Sequence, residues 1–251
     1  MKFVLLLIFI VLGSCNGRSK LIQQVMNEEE RIQAIEVFFE QGFEFADIDE
    51  YKKAIESFSD AINLNPNIDF GYMFRGYIYF LDNNYELAMD DYNEAIRLNP
   101  NNAWIFYQRG YLYDLLKNYE RAIEDYSEAI RFEPNNASWY IERATSYGWI
   151  NDHEKAIKDY SEAIRLDSNN LRAYVSRGIS YDLINDYEQA INDFYEAIRL
   201  DPINAYFYYR RGILYEKVNN YHRAQNDMEK ALQLDPNNTY YLDKLIRIRS
   251  K

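Results

Sequence analysis

The heptapeptide "DYSEAIR" stands at residues 125–131 and again, unchanged, at 159–165. Seven identical residues at a separation of 34 raise the question of whether everything between them repeats as well. It does. All five prolines of the chain, Pro66, Pro100, Pro134, Pro202 and Pro236, lie on one 34-residue register, with Ser168 in the vacant slot. Aligned on that register, six units follow without insertion: 35–68, 69–102, 103–136, 137–170, 171–204 and 205–238. The match is plain in "YMFRGYIYFLDNNYELAMDDYNEAIRLNP" (72–100), "YQRGYLYDLLKNYERAIEDYSEAIRFEP" (107–134) and "YYRRGILYEKVNNYHRAQNDMEKALQLDP" (208–236).

Within a unit the apolar residues recur at helical intervals. Tyr72, Gly76 and Tyr79 line one face, and Ala88, Tyr92 and Ala95 a second. Between them "DNNY" (82–85) supplies turn residues and an Asn cap for the second helix, and the recurring "NPNN" or "DPNN" ends that helix. Gly42, Gly76, Gly110, Gly178 and Gly212 form a column inside the first helices. Each costs about 1 kcal/mol relative to alanine, which close approach of the paired helices would offset. A single hairpin cannot bury its apolar face, so stability must come from stacking neighbours.

This pattern resembles the tetratricopeptide repeat family, and the resemblance covers Ile35 to Asn238. It implies two antiparallel helices per unit and an all-α fold, a right-handed superhelical solenoid of six hairpins with a concave groove. Asn27 and Glu30 form a capping box that starts the first helix early, giving a repeat domain over 27–251. The stretch "TYYLDKLIRIRSK" (239–251) reads as a charged capping helix with a polar end.

The composition excludes several classes. With 48% apolar and 17% aromatic residues the chain is too hydrophobic to be disordered, and nine glycines with five prolines are few for a β protein. A net charge of −12 disfavours nucleic acid and anionic membrane surfaces as partners. The charge is uneven: 35–102 carries 14 acidic and 4 basic residues, 205–251 carries 5 and 9.

The first residues, "MKFVLLLIFIVLGSC", are a unit of their own. An apolar run from Phe3 to Leu12 is too short to span a bilayer comfortably and suits a secretory signal. Its end resembles a bacterial lipobox: Leu12, two small residues, then Cys15, the chain's one cysteine, whose thiol would accept the lipid. The expectation is a signal peptide at 1–14 and a lipidated tether at 15–26. Asn16 after the cysteine resembles an outer-membrane destination facing the periplasm. A soluble secreted or periplasmic protein is the alternative.

Two charged columns run in step. Arg75, Arg109, Arg143, Arg177 and Arg211 each precede the small residue of a first helix, and Asp91, Asp125, Asp159, Asp193 and Asp227 follow sixteen positions later. The first unit has neither, with Gln41 and Ser57 in the two slots. Matched presence and absence predict a structural ion pair inside each hairpin rather than an anion-binding ladder.

Most of the 25 tyrosines fall on four packing columns. What does not repeat is more informative. On the face that lines the groove in the family lie Phe39, Phe43, Phe70, Met73, Phe74, Tyr77, Phe80, Trp104, Tyr107 and Tyr111, whereas units four to six mix Trp149, Tyr206 and Tyr209 with Arg172, Asp182, Arg210, Glu216 and Lys217. Aromatic rings give large contact area at low entropic cost, so the first half of the groove is expected to bind a peptide or protein segment. Phe39, Phe43, Phe74, Trp104 and Gln108 stand where chaperone-tail clamps of the family carry lysine, asparagine and arginine, so that subtype is excluded. A small ligand or glycan in the groove, or assembly through the convex face, remain alternatives. No phosphate loop, metal-ligand spacing or nucleophile–base set occurs, so neither enzymatic activity nor a cofactor is expected. His153 takes a tyrosine slot and reads as a packing variant. Unit four departs most from the pattern, with Ala144, Gly148, His153 and Ser168, and is expected to be a soft joint.

Overall fold

The computed structural model describes residues 26–250; the lipobox and most of the expected tether lie outside them. Among the described residues there are thirteen helices and no strand. They are α1 (Glu28–Asp47), α2 (Tyr51–Leu64), α3 (Asp69–Leu81), α4 (Tyr85–Leu98), α5 (Ala103–Leu115), α6 (Tyr119–Phe132), α7 (Ala137–Trp149), α8 (His153–Leu166), α9 (Leu171–Leu183), α10 (Tyr187–Leu200), α11 (Ala205–Lys217), α12 (Tyr221–Leu234) and α13 (Thr239–Arg249). The chain forms two compact units, one ending at Leu112 and one beginning at Tyr113. In the first, α1 packs on α2, α2 on α3 and α3 on α4; in the second, each helix from α6 to α13 packs on the next.

Local chemistry sets the helix ends. The Asn27–Glu30 capping box forms in both directions, at 2.9 and 3.0 Å, and starts α1 at Glu28. Met26, assigned above to the tether, already packs on the core of Ala34, Ile35 and Phe38. Between the helices of each hairpin one residue takes a left-handed backbone: Asp49, Asn83, Lys117, Asn151, Asn185 and Asn219. After glycine, Asn and Asp tolerate that region best, which explains the "NN" and "ND" of the turns, with Lys117 the exception. The next residue caps the second helix. Asn118, Asp152, Asp186 and Asn220 accept a backbone N–H through their side chains. Asn84 does not: its amide donates to Asp82 instead, so the cap expected at α4 is absent.

The glycine column works by contact. A Cβ at Gly178 would lie 3.1 Å from that of Asp193 and 3.2 Å from the Phe194 ring, and one at Gly76 would meet Asp91 and Tyr92 as closely. Gly148 is different. It sits one residue before the end of α7, and a Cβ there would meet nothing within 4 Å. Elsewhere in the same repeat Ala144, Ala156 and Ala163 are wholly buried. The departures of unit four therefore fall in packed places or on the surface. His153 does leave a mark, since its Nδ1 is buried without a hydrogen-bond partner.

The two charged columns meet. Arg75 grips Asp91 with two parallel bonds of 2.8 and 2.7 Å, and Arg143–Asp159, Arg177–Asp193 and Arg211–Asp227 repeat that geometry between 2.6 and 2.9 Å. Burial opposes each of these guanidinium charges. The bonds and attraction of the aspartate outweigh it and raise the arginine pKa. A third bond links neighbouring repeats: Arg75, Arg143 and Arg177 also donate to Ser59, Ser127 and Ser161 of the preceding second helix, at 2.9–3.0 Å. Arg109 donates to Asn93 in the same way, and Arg211 lies over the Tyr195 ring.

Each letter of the repeated heptapeptide now has a task. In 159–165 Asp159 holds Arg143, Tyr160 and Ala163 are core, and Ser161 receives Arg177 from the next repeat. Glu162 and Arg165 pair on the surface. Ile164 packs at the edge of the same core.

Candidate docking surface

The first unit gathers its aromatic residues around Phe74. That ring touches Phe43 edge-on with centroids 4.7 Å apart, and lies 6.0 Å from Phe39, 5.9 Å from Phe58, 6.3 Å from Phe70 and 6.5 Å from Trp104. Trp104 leads on to Tyr77 at 5.8 Å, Tyr77 to Phe80 at 6.5 Å, and Phe80 to Tyr111 at 5.7 Å. The rings come from α1, α2, α3 and α5. The 34-residue spacing brings them together, because it returns each first helix to the same face of the stack.

The set divides by exposure. Phe70 (48%), Tyr111 (43%) and Phe43 are exposed, and Phe39, Phe74, Tyr77, Phe80, Trp104 and Tyr107 are half-buried. Met73 does not belong to the surface. At 5% exposure it is core, packed with Ala88, Tyr92 and Ile105, because its column faces the hairpin interior. Phe74 is both surface and scaffold, since Phe58 beneath it is wholly buried.

Between α3 and α5 the surface opens into a cleft of about 260 Å³ lined by Tyr77, Phe80, Tyr92, Tyr107, Gln108 and Tyr111. Its walls are rings, and its floor is polar. Tyr92 is almost wholly buried, which pushes its phenol pKa up, against the lowering influence of the Gln108 amide. Tyr92 and Gln108 were not among the residues expected to bind. Tyr92 hides in a packing column, and its hydroxyl reaches the cleft only because α4 lies beneath α3 and α5.

The charged half of the expected groove is largely self-neutralised. In the second unit Glu142 receives Arg172 at 2.6 Å, Asp182 receives Arg210 and Lys217, and Glu216 receives Lys244. Among the described residues no group of three or more His, Cys, Asp or Glu is placed to hold a metal ion, and no helix is long and apolar enough to cross a membrane.

The match to known families is direct. Models described as tetratricopeptide repeat match residues 103–136, 139–170 and 205–238, and one described as TPR repeat matches 76–117 and 184–219, together more than half of the chain. The chain is a tetratricopeptide repeat protein. Two of those matches, 103–136 and 205–238, share their bounds with the repeats read from the proline register. Such proteins bind protein or peptide partners and are generally non-enzymatic scaffolds.

Solved structures of tetratricopeptide proteins share the architecture. YrrB, described as "a TPR protein with an unusual peptide-binding site", is 23% identical with a TM-score of 0.69, over 76% of this chain and 98% of that one. PilF of Pseudomonas aeruginosa is 15% identical with a TM-score of 0.67, over 85% and 97%. A tetratricopeptide repeat protein of Parabacteroides merdae is 20% identical with a TM-score of 0.61, over 86% and 99%. At these identities the likeness concerns the fold. No curated protein matches the chain.

Proposed function

We propose that this tetratricopeptide protein is a non-enzymatic docking scaffold that holds a peptide segment of a partner protein against the aromatic surface of its first unit. The cleft between α3 and α5 carries the proposal. Rings at its walls suit apolar side chains, and the half-buried Gln108 offers an amide to the polar backbone of a peptide. The peptide-binding site named for YrrB, a protein of like fold, agrees with this use of the architecture. Lipidation at Cys15 would tether the scaffold to the periplasmic face of an outer membrane, leaving the repeats free in solvent.

The structure decides which residues test this. Phe74 and Tyr77 both pack on the core around the buried Phe58, so truncating either would damage the fold, whereas the exposed Phe70 and Tyr111 can be removed from the solvent side. Capture of partners from the native cells by the wild-type chain should be lost in a Phe70→Ala, Tyr111→Ala variant. Partners retained by the variant would move the interaction to the convex face. No protein captured by either chain would favour a small ligand. Anchoring is tested separately: wild type should partition into detergent, and Cys15→Ala should stay in the aqueous phase.

A further inference from the structure

The second unit contains a carboxylate whose counterparts are neutralised and which is not. Asp114, Asp182 and Glu216 occupy the same repeat position near the end of α5, α9 and α11. Asp182 receives the Lys217 ammonium from 35 residues on and Arg210 from 28 residues on, and Glu216 receives Lys244, also 28 residues on. On its way Lys217 crosses the Tyr187 ring, with the ammonium 5.0 Å from the centroid.

At Asp114 the same register supplies other residues. Position 142 is Glu142, itself committed to Arg172, and position 149 is Trp149. Trp149 follows the path of Lys217 in one respect: it stacks on Tyr119, the counterpart of Tyr187, at 5.8 Å and 13°. It brings no charge. Asp114 is left with neutral donors, the Ser146 hydroxyl at 2.8 and 3.0 Å and the Tyr126 hydroxyl at 3.0 Å. Among the described residues no lysine or arginine pairs with it. Trp149 is 64% exposed, so its outer face is open, and Gly148 beside it carries no side chain and has empty space where one would begin.

From this we infer that Asp114 and Trp149 form a binding site for a primary alkylammonium group, as a lysine side chain of a partner presents it, which would supply the counter-charge that Lys217 supplies to Asp182 two repeats later. The carboxylate supplies the counter-charge, held in position by Ser146 and Tyr126. The indole supplies an electron-rich face for the ammonium and its methylene stem, and Tyr119 braces it from behind. Glu142 is near enough for Asp114 to feel its field, but its charge is balanced by Arg172, which leaves Asp114 as the carboxylate without a cation. The site is independent of the aromatic surface of the first unit and needs none of its rings.

The test uses the full chain with labelled tryptophan, followed by NMR at the Trp149 indole, and two probes with the same side-chain carbons, one ending in an ammonium and one without it: Nα-acetyl-lysine methylamide and Nα-acetyl-norleucine methylamide. The lysine probe should shift the Trp149 signal and bind about tenfold more tightly than norleucine. That preference should vanish in Asp114→Asn. Cadaverine as a third probe distinguishes the source: tighter binding of the capped lysine assigns the site to a polypeptide, and tighter binding of cadaverine to free amines. Equal responses to lysine and norleucine, or a lysine preference that survives Asp114→Asn, would overturn the inference. A second readout does not depend on that variant. The Asp114 carboxyl pKa should fall when the lysine probe is added, and also in Trp149→Lys, which rebuilds the internal pair seen at Asp182. A pKa unmoved in both cases would overturn the inference equally.

Discussion

At the scale of the residue, the charged columns show how one side chain can serve two repeats. Arg143 closes its own hairpin through Asp159 and binds the preceding repeat through Ser127, so a single guanidinium satisfies three acceptor atoms. Asp159→Ala strands a mostly buried cation and should cost about 3 kcal/mol in denaturant unfolding. Arg143→Leu combined with Asp159→Leu should recover most of that, because the site would then be apolar throughout. Melting of Asp159→Ala at the wild-type midpoint would contradict the pairing. Asp114 makes the opposite prediction. Burial pushes its pKa above the ordinary 3.8, against the lowering effect of the Ser146 and Tyr126 donors, and Glu142 raises it further. A carboxyl with a raised folded pKa binds its proton more tightly in the folded state, so its contribution to stability is present at low pH and lost as pH rises through that pKa. Asp114→Asn should therefore be at least as stable as wild type at neutral pH, and its advantage should shrink on acidification toward pH 3.8. Thermal melts of the two proteins between neutral and acid pH check the sign.

At the scale of the element, the helices are alike in pattern and unlike in tolerance. Gly178 lies against Asp193 and Phe194, so Gly178→Ala forces α9 and α10 apart and should cost about 1–3 kcal/mol. Gly148 lies against nothing. Gly148→Ala removes backbone entropy from the unfolded chain at no steric cost and should stabilise by about 0.5 kcal/mol. The two substitutions are identical on paper, and a pair of unfolding curves separates them. The closing helix is likewise uneven around its circumference. Tyr241, Leu245 and Ile248 of α13 are buried against the last hairpin, while Tyr240, Leu242 and Ile246 remain exposed on its other faces. That mixture follows from a sequence of alternating apolar and basic residues wound at 3.6 per turn.

At the scale of the whole molecule, stability in a repeat protein is a sum of local terms, so each repeat can be tried on its own merits. Repeat four keeps a bidentate Arg143–Asp159 pair and wholly buried alanines, and adds hydrogen bonds from Ser146 to Asp114 and between Thr145 and Tyr160. Amide exchange should therefore protect α8 as strongly as α10, and faster exchange confined to 137–170 would restore the soft joint expected from composition. The repeat architecture, its helix boundaries and the partners of four arginines were legible in the chain itself, because a 34-residue period forces equivalent residues into equivalent surroundings. Periodicity also hides what departs from it quietly. The period assigns no role to Ser127 and Ser161, and places Met73 on the groove face and Tyr92 on a packing face. Their roles depend on which helix of an adjacent hairpin lies within a few ångströms. The same limit holds for Asp114, an unremarkable acid in the one-dimensional text. Its missing cation becomes visible only when Asp182, Lys217 and Tyr187 show in space what that register ordinarily brings together, since charge compensation acts through distance and not through order along the chain.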